Sequence, residues 1–122
     1  MKVIVAGSRG FNDYELLKKK LDHVLSKRSV VEIISGTARG VDQLGERYAK
    51  EKDFPCSRYP ADWNTHGKSA GYLRNVQMAD IADALVAFWD ERSPGTKHMI
   101  DIAKRKGLVV RVYNASGKLI GN

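Results

Sequence analysis

Apolar and polar positions follow two patterns along the chain. Short stretches are almost continuously apolar, at residues 3–6, 30–34, 56–59, 84–89 and 108–113. Between these stretches apolar residues recur at intervals of three and four, as Leu17, Leu21 and Val24 do. This spacing predicts helices that bury one face, so the chain is expected to alternate strand and helix from its first strand to its fifth.

The same pattern predicts how the elements pack. Apolar strands that alternate with helices indicate a mainly parallel sheet covered on both faces. We therefore expect an α/β fold, a Rossmann-like three-layer αβα sandwich with a mainly parallel five-stranded sheet. The turn signal at residues 114–117 allows residues 118–120 to return as a short antiparallel edge strand.

Two finer features concern the helices. Asn12 and Glu15 have the spacing of a capping pair at the start of the first helix. A looser repeat of Leu73, Val76 and Ile81 predicts a helix before the fourth strand. A surface of this helix that carries Leu73, Val76 and Met78 would suit a homodimer or a higher homo-oligomer, although burial within one chain explains the same residues.

Length and composition limit the kinds of protein and of site that this chain can form. The 122 residues fit one domain, 1–122, in which residues 114–122 form the terminal turn and edge strand or tail. No apolar run is long enough to cross a bilayer, so we expect no membrane partner. The single Cys56 forms no intrachain disulfide, which favours a reducing, cytoplasmic location. The histidines lack metal-binding spacing, so we expect no metal site.

The net charge of +7 favours anionic partners such as nucleotides or nucleic acid. Much of this charge stands in lysine clusters on predicted helix exteriors, which are also typical of solvated faces. In a parallel sheet the loops after successive strands lie along one edge, where such folds bind ligands. Glycines, small hydroxyl residues, charges and aromatic rings are all found in these loops.

These loops supply the candidate ligand-binding residues. The first loop contributes Gly7, Ser8, Arg9 and Phe11. The second contributes Ser35, Gly36, Ala38, Arg39, Gly40 and Asp42. The third contributes Asp62, Trp63 and Lys68, and the fourth contributes Trp89, Ser93, Gly95 and Thr96. Turn chemistry alone explains the glycines and serines, and tryptophans are more often core residues, but the convergence of arginines and rings predicts a pocket for an anionic, ring-containing ligand.

Several motifs resemble a known family. They are Gly7-Ser8-Arg9-x-Phe11, Ser35-Gly36-x-Ala38-x-Gly40-x-Asp42, Asp62-Trp63, Arg74-Asn75-x-x-Met78 and Ser93-x-Gly95-Thr96. In this order they resemble the YspA/YpsA-related branch of the SLOG superfamily. The resemblance implies a Rossmannoid fold and a nucleotide or nucleotide-derived ligand, and it adds Arg74 and Asn75 to the ligand-binding residues. No particular cofactor beyond this ligand is predicted.

The resemblance leaves the reaction open. Lonely-guy phosphoribohydrolases of this superfamily release a base from a nucleotide with an arginine and a glutamate. Arg74 fits the arginine, whereas Met99 stands at the glutamate position and cannot activate water. Catalysis would therefore need Asp42, Asp90 or Glu91 beside Arg74.

Three functions follow from these observations. The leading one is binding or sensing of a nucleotide or nucleotide-derived ligand. The alternatives are a nucleotide-processing hydrolase that cleaves an N-glycosidic or phosphoester bond, and a DprA-like binder of single-stranded nucleic acid.

Overall fold

The computed structural model describes residues 1–27 and 31–122. Within this part of the chain, the strands are β1 Lys2–Gly7, β2 Glu32–Ser35, β3 Cys56–Arg58, β4 Ala84–Phe88, β5 Val109–Tyr113 and β6 Leu119–Gly121. The helices are α1 Tyr14–Val24, α2 Val41–Lys52, α3 Trp63–His66, α4 Ala70–Ile81 and α5 Pro94–Arg105, with a 3-10 turn at Gly67–Ser69 between α3 and α4.

The strands form one sheet in the order β3-β2-β1-β4-β5-β6. The first five are parallel, and β6 pairs antiparallel with β5 at the edge of the sheet. The predicted α/β class, the mainly parallel sheet and the antiparallel edge strand are confirmed. The strand predicted from residue 30 begins at Glu32, and Val30 itself lies outside the described residues.

Alternate residues of each central strand enter separate cores on the two faces of the sheet. In β1, Val3 and Val5 pack with α1 and α2, whereas Ile4 and Ala6 pack with α4 and α5. Both sets are buried. This arrangement explains why the central strands are continuously apolar in sequence.

The first helix is capped by a different residue from the one predicted. The Asp13 carboxylate accepts a hydrogen bond from the Leu16 amide at 3.1 Å, so Asp13 is the N-cap and the prediction of Asn12 is wrong by one position. The helix begins at Tyr14, and a capping side chain must stand immediately before the first helical residue.

Helix α4 buries a different face from the one that its large apolar residues indicated. Leu73 is 43% exposed and Ile81 is 37% exposed, while Met78 is 1% exposed. The buried side is formed by Ala70, Asn75, Met78 and Ala79. Because Met78 lies in the core and Leu73 faces outward, the two do not share one outward surface.

No helix in the described ranges is both long enough and apolar enough to cross a membrane. The loops that follow β1, β2 and β4 meet at the carboxyl ends of these strands.

Candidate functional site

A cleft of about 520 Å³ opens at the carboxyl edge of the sheet, between the first turn of α5 and the middle of α4. Many of the residues predicted from the sequence line it, namely Gly7, Arg9, Ala38, Asp42, Arg74, Asn75, Asp90, Ser93, Gly95 and Thr96. They come from the loops after β1, β2 and β4, from the first turns of α2 and α5, and from α4. The structure therefore brings about half of the predicted site residues to one place.

Close packing of the loops gives the cleft its floor. A Cβ atom added to Gly7 would lie 2.1 Å from the Phe88 carbonyl oxygen, so only glycine fits there. Gly40 has φ +76°, and a Cβ atom there would lie 2.4 Å from the Ser8 carbonyl oxygen. The Ser8 hydroxyl accepts a hydrogen bond from the Asp90 amide at 2.9 Å. These contacts join the loops after β1, β2 and β4, so Ser8 and Gly40 hold the loops together beneath the cleft.

Asp42 and Arg74 flank Gly36 on one wall. A Cβ atom added to Gly36 would lie 2.9 Å from both Arg74 Nη1 and Asp42 Oδ2. Arg74 Nη1 donates to the Gly36 carbonyl oxygen, and Arg74 Nε donates to Asn75 Oδ1 at 3.2 Å. Asn75 Nδ2 in turn donates to the Gly95 carbonyl oxygen at 3.2 Å. Arg74 and Asn75 thus connect the loop after β2 to the start of α5.

The Asp42 carboxyl has an unusual environment. It is 5% exposed, and its Oδ2 accepts a hydrogen bond from the Ala38 amide at 3.1 Å. Burial raises the pKa of Asp42 to about 6, although the Ala38 amide and the positive charge of Arg74 oppose the rise. Asp42 therefore changes protonation close to neutral pH, which is the range that a general acid or base requires.

The first turn of α5 presents hydrogen-bond donors to the cleft. Ser93 is its N-cap residue and Pro94 is its first helical residue. No atom lies within 4 Å of a Cβ added to Gly95, so the backbone there is open to a ligand. Thr96 is 7% exposed and lines the cleft, and its hydroxyl bonds to none of the described residues. Open amides and a free hydroxyl at a helix N-terminus suit an anion.

Asp90 has a structural task in the loop before α5. Its Oδ1 accepts hydrogen bonds from the amides of Arg92 and Ser93, both at 2.8 Å. These amides, the Ser93 amide first, lower the pKa of Asp90 to about 2. A carboxylate held in this state is a poor proton donor, whereas the raised pKa of Asp42 lets it hold a proton closer to neutral pH.

Other residues predicted for the site lie away from the cleft. Phe11 is in the core, with its ring 5.3 Å from the ring of Phe88. Trp89 is half-buried, and its indole N–H donates to the Ser93 carbonyl oxygen at 3.1 Å. The buried Ser35 hydroxyl donates to Glu46 at 2.6 Å. Phe11, Trp89 and Ser35 therefore contribute to the packing of the interior, because the core extends to the ends of these strands.

The third loop also lies outside the cleft. Asp62 caps α3, its Oδ1 accepting from the Thr65 amide at 3.1 Å. Trp63 and Lys68 are exposed beside α4, and Arg39 is exposed on the second loop. This loop follows β3, an edge strand that is separated from β4 by β2 and β1. Because the cleft lies near β1 and β4, a loop after β3 does not reach its lining.

Sequence reasoning missed Gly10, which lines the cleft with open space around it. The sequence feature that could have identified it is that Gly10 is the second glycine of the first loop. Met78 and Met99 also line the cleft, so the methionine at the position of the lonely-guy glutamate borders the cleft from the core side. Within residues 1–27 and 31–122, no three histidine, cysteine or acidic side chains group as metal ligands would.

Comparisons with known proteins agree with the motifs. The family model YAcAr, described as the YspA, cpYpsA-related SLOG family, matches residues 1–66. Gene 61 protein of Mycobacterium phage D29 is 34% identical over 116 residues, an alignment that covers 89% of this chain and 93% of that protein. No solved structure matches the chain. The chain belongs to the YspA, cpYpsA-related SLOG family.

Proposed function

We propose that this protein binds a nucleotide or a nucleotide-derived ligand in the cleft at the carboxyl edge of the sheet. The observation that carries the proposal is that three separate segments supply Arg9, Arg74 and the first turn of α5 to one cleft. Membership of the SLOG family points to nucleotide-related binding or processing.

The positive groups of the cleft are available to a ligand. Arg9 is exposed and forms no ion pair with the described residues, unlike Lys18, Lys52 and Lys106. Arg74 uses Nε and Nη1 for protein contacts, which leaves Nη2 for a ligand. With the open amides near Gly95 these groups would bind a phosphate from several sides. A cleft of about 520 Å³ falls in the usual range for small-molecule sites.

A second candidate function is hydrolysis of the bound nucleotide. It is favoured by the Asp42 carboxyl, which has a pKa of about 6 and lies near Arg74 in the cleft. Asp42 would move the proton and Arg74 would stabilise the charge that develops. Chromatography of nucleotides incubated with the protein tests this candidate, because an enzyme releases base or phosphate and Asp42→Asn abolishes the release.

The binding proposal is tested by thermal shift with AMP, GMP, CMP and ADP-ribose, with affinities measured by calorimetry. Arg9→Gln is expected to weaken binding about tenfold, since a charge-assisted hydrogen bond to phosphate is lost. Gly95→Ala is expected to keep the stability of the free protein, because the added methyl meets no protein atom, and to weaken binding because the methyl enters the phosphate position.

Arg105→Gln is the matched control for Arg9→Gln. Arg105 is exposed in the last turn of α5, and its replacement removes the same charge far from the cleft. Binding should be unchanged in this variant. Equal weakening by both arginine variants, or no stabilisation of the wild type by any of the four compounds, would contradict the proposal.

A further inference from the structure

The two tryptophans of the chain differ in their surroundings. Trp89 packs against the core and its indole N–H is bonded to the Ser93 carbonyl oxygen. Trp63 is 51% exposed, and its indole bonds to none of the described residues. Leaving a large apolar ring exposed to water is unfavourable, so the exposure of Trp63 needs a physical reason.

Trp63 does not line the cleft, but its ring lies close to Arg74, which does. A Cβ atom on Gly71 would lie 3.4 Å from Trp63 Cη2 and 3.8 Å from Arg74 Nη2. The ring and the guanidinium group therefore flank one glycine, which has no side chain to separate them. A ligand held by Arg74 Nη2 would therefore lie close to the ring.

The ring is presented from an ordered turn. Trp63 is the first residue of α3, and Asp62 caps this helix through the Thr65 amide at 3.1 Å. The Asp62 carbonyl oxygen also accepts from the His66 amide at 3.0 Å. Helix α3 packs against α4, which carries Arg74. The position of the Trp63 ring relative to Arg74 is therefore set by the packing of α3 on α4.

The cleft itself contains no aromatic side chain among the described residues that line it. Tyr72, the other exposed ring nearby, already packs edge-on against His98, with 4.5 Å between the ring centroids. A flat heteroaromatic base bound here would have Trp63 as its free stacking partner, and stacking on an aromatic side chain stabilises a bound base.

We propose that Trp63 is the base-stacking residue of the site and that the ligand spans from the first turn of α5, past Arg74, to the indole ring. This inference rests on the proposed function and names a part of the ligand, a planar base. It also assigns α3 and the 3-10 turn a role as the outer wall of the site.

Fluorescence excited at 295 nm tests the inference. In Trp89→Phe the single remaining tryptophan is Trp63, and AMP or ADP-ribose should quench its emission. Ribose 5-phosphate, which has the sugar and phosphate without a base, should not quench it. If Trp89→Phe does not fold, the comparison is made between the wild type and Trp63→Phe, in which the nucleotide-dependent change should disappear.

Calorimetry supplies the second readout. Trp63→Ala should weaken AMP binding at least about fivefold, as expected from lost stacking, and leave ribose 5-phosphate binding unchanged. If AMP and ribose 5-phosphate bind the wild type and Trp63→Ala alike, without quenching, the stacking role is overturned while the proposed function stands. If neither compound nor any other nucleotide binds, both fail. An emission that responds to protein concentration and ignores nucleotide would place Trp63 between two copies of the chain and overturn the inference.

Discussion

Asp42 is a buried carboxyl whose contacts only partly compensate for the loss of solvent. Its carboxyl is buried beside Gly36, where it receives the Ala38 amide and lies near the Arg74 guanidinium. Burial outweighs these favourable contacts, so the pKa of Asp42 rises from 3.8 to about 6. A carboxyl kept in such a place without a full ion pair is typical of a functional site.

The raised pKa of Asp42 predicts a pH dependence of stability. Between about pH 4 and pH 6 the folded state holds a proton that the unfolded state releases, so the free energy of unfolding falls as pH rises through this window. The fall from this group is about 3 kcal/mol and is complete above pH 6. In Asp42→Asn, urea unfolding at pH 4.5 and at pH 7 should lack this fall.

Asp101→Asn is the control for this measurement. A hydrogen bond from Lys97 lowers the pKa of the exposed Asp101, so its contribution to stability increases with pH, opposite to that of Asp42. Identical pH slopes for the wild type and Asp42→Asn would contradict the account of Asp42.

For single residues, the sequence predicted which loops lie at the carboxyl edge of the sheet, but not which side chains of these loops face the cleft. Arg9, Gly95 and Thr96 follow strands and lie at the cleft as expected. Phe11 and Trp89 also follow strands, yet they turn inward because apolar rings gain more from the core. Only packing decides which way a loop residue points, and packing depends on residues distant in sequence.

Among the elements, β6 and the turn before it fix the far edge of the sheet. Gly117 has φ +86°, and a Cβ atom there would lie 2.6 Å from Leu16 Cδ1 of α1. The Asn114 side-chain oxygen accepts from the amides of Ser116 and Lys118 and shapes this turn. The turn thus packs on α1 and closes one end of the core.

This packing predicts different costs for two glycine substitutions. Gly107→Ala places alanine at φ +79° with no atom nearby and should destabilise the protein by about 1 kcal/mol. Gly117→Ala adds crowding against Leu16 to the same backbone strain and should cost about 1 kcal/mol more. Urea unfolding of both variants measures the difference, and equal costs would show that the turn does not pack on α1.

The elements show the limits of periodicity. Strands and amphipathic helices such as α1 were predictable because their apolar spacing is regular. Helix α4 was assigned the wrong face, since its buried side uses Ala70, Asn75 and Ala79, which carry little hydrophobic signal. Helix α3 is too short for a periodic pattern to register at all.

The whole molecule combines a basic surface with a parallel sheet that gathers its loops at one edge. Some basic side chains form surface ion pairs, including Lys18 with Glu51 and Lys106 with Asp80. Arg9 at the cleft has no such partner among the described residues. Arg9 is therefore a positive group at the cleft that remains available to an anion.

The most direct test of the binding site is a ¹H–¹⁵N NMR titration of the protein with AMP. The amide signals of Gly10, Gly95 and Thr96 should shift on binding, because their backbones border the ligand space. Those of Cys56 and Ser57, on the edge strand β3, should stay unchanged. Shifts centred on the lysines of α1 or on residues of α2 and β3, with Gly95 and Thr96 unaffected, would contradict the account.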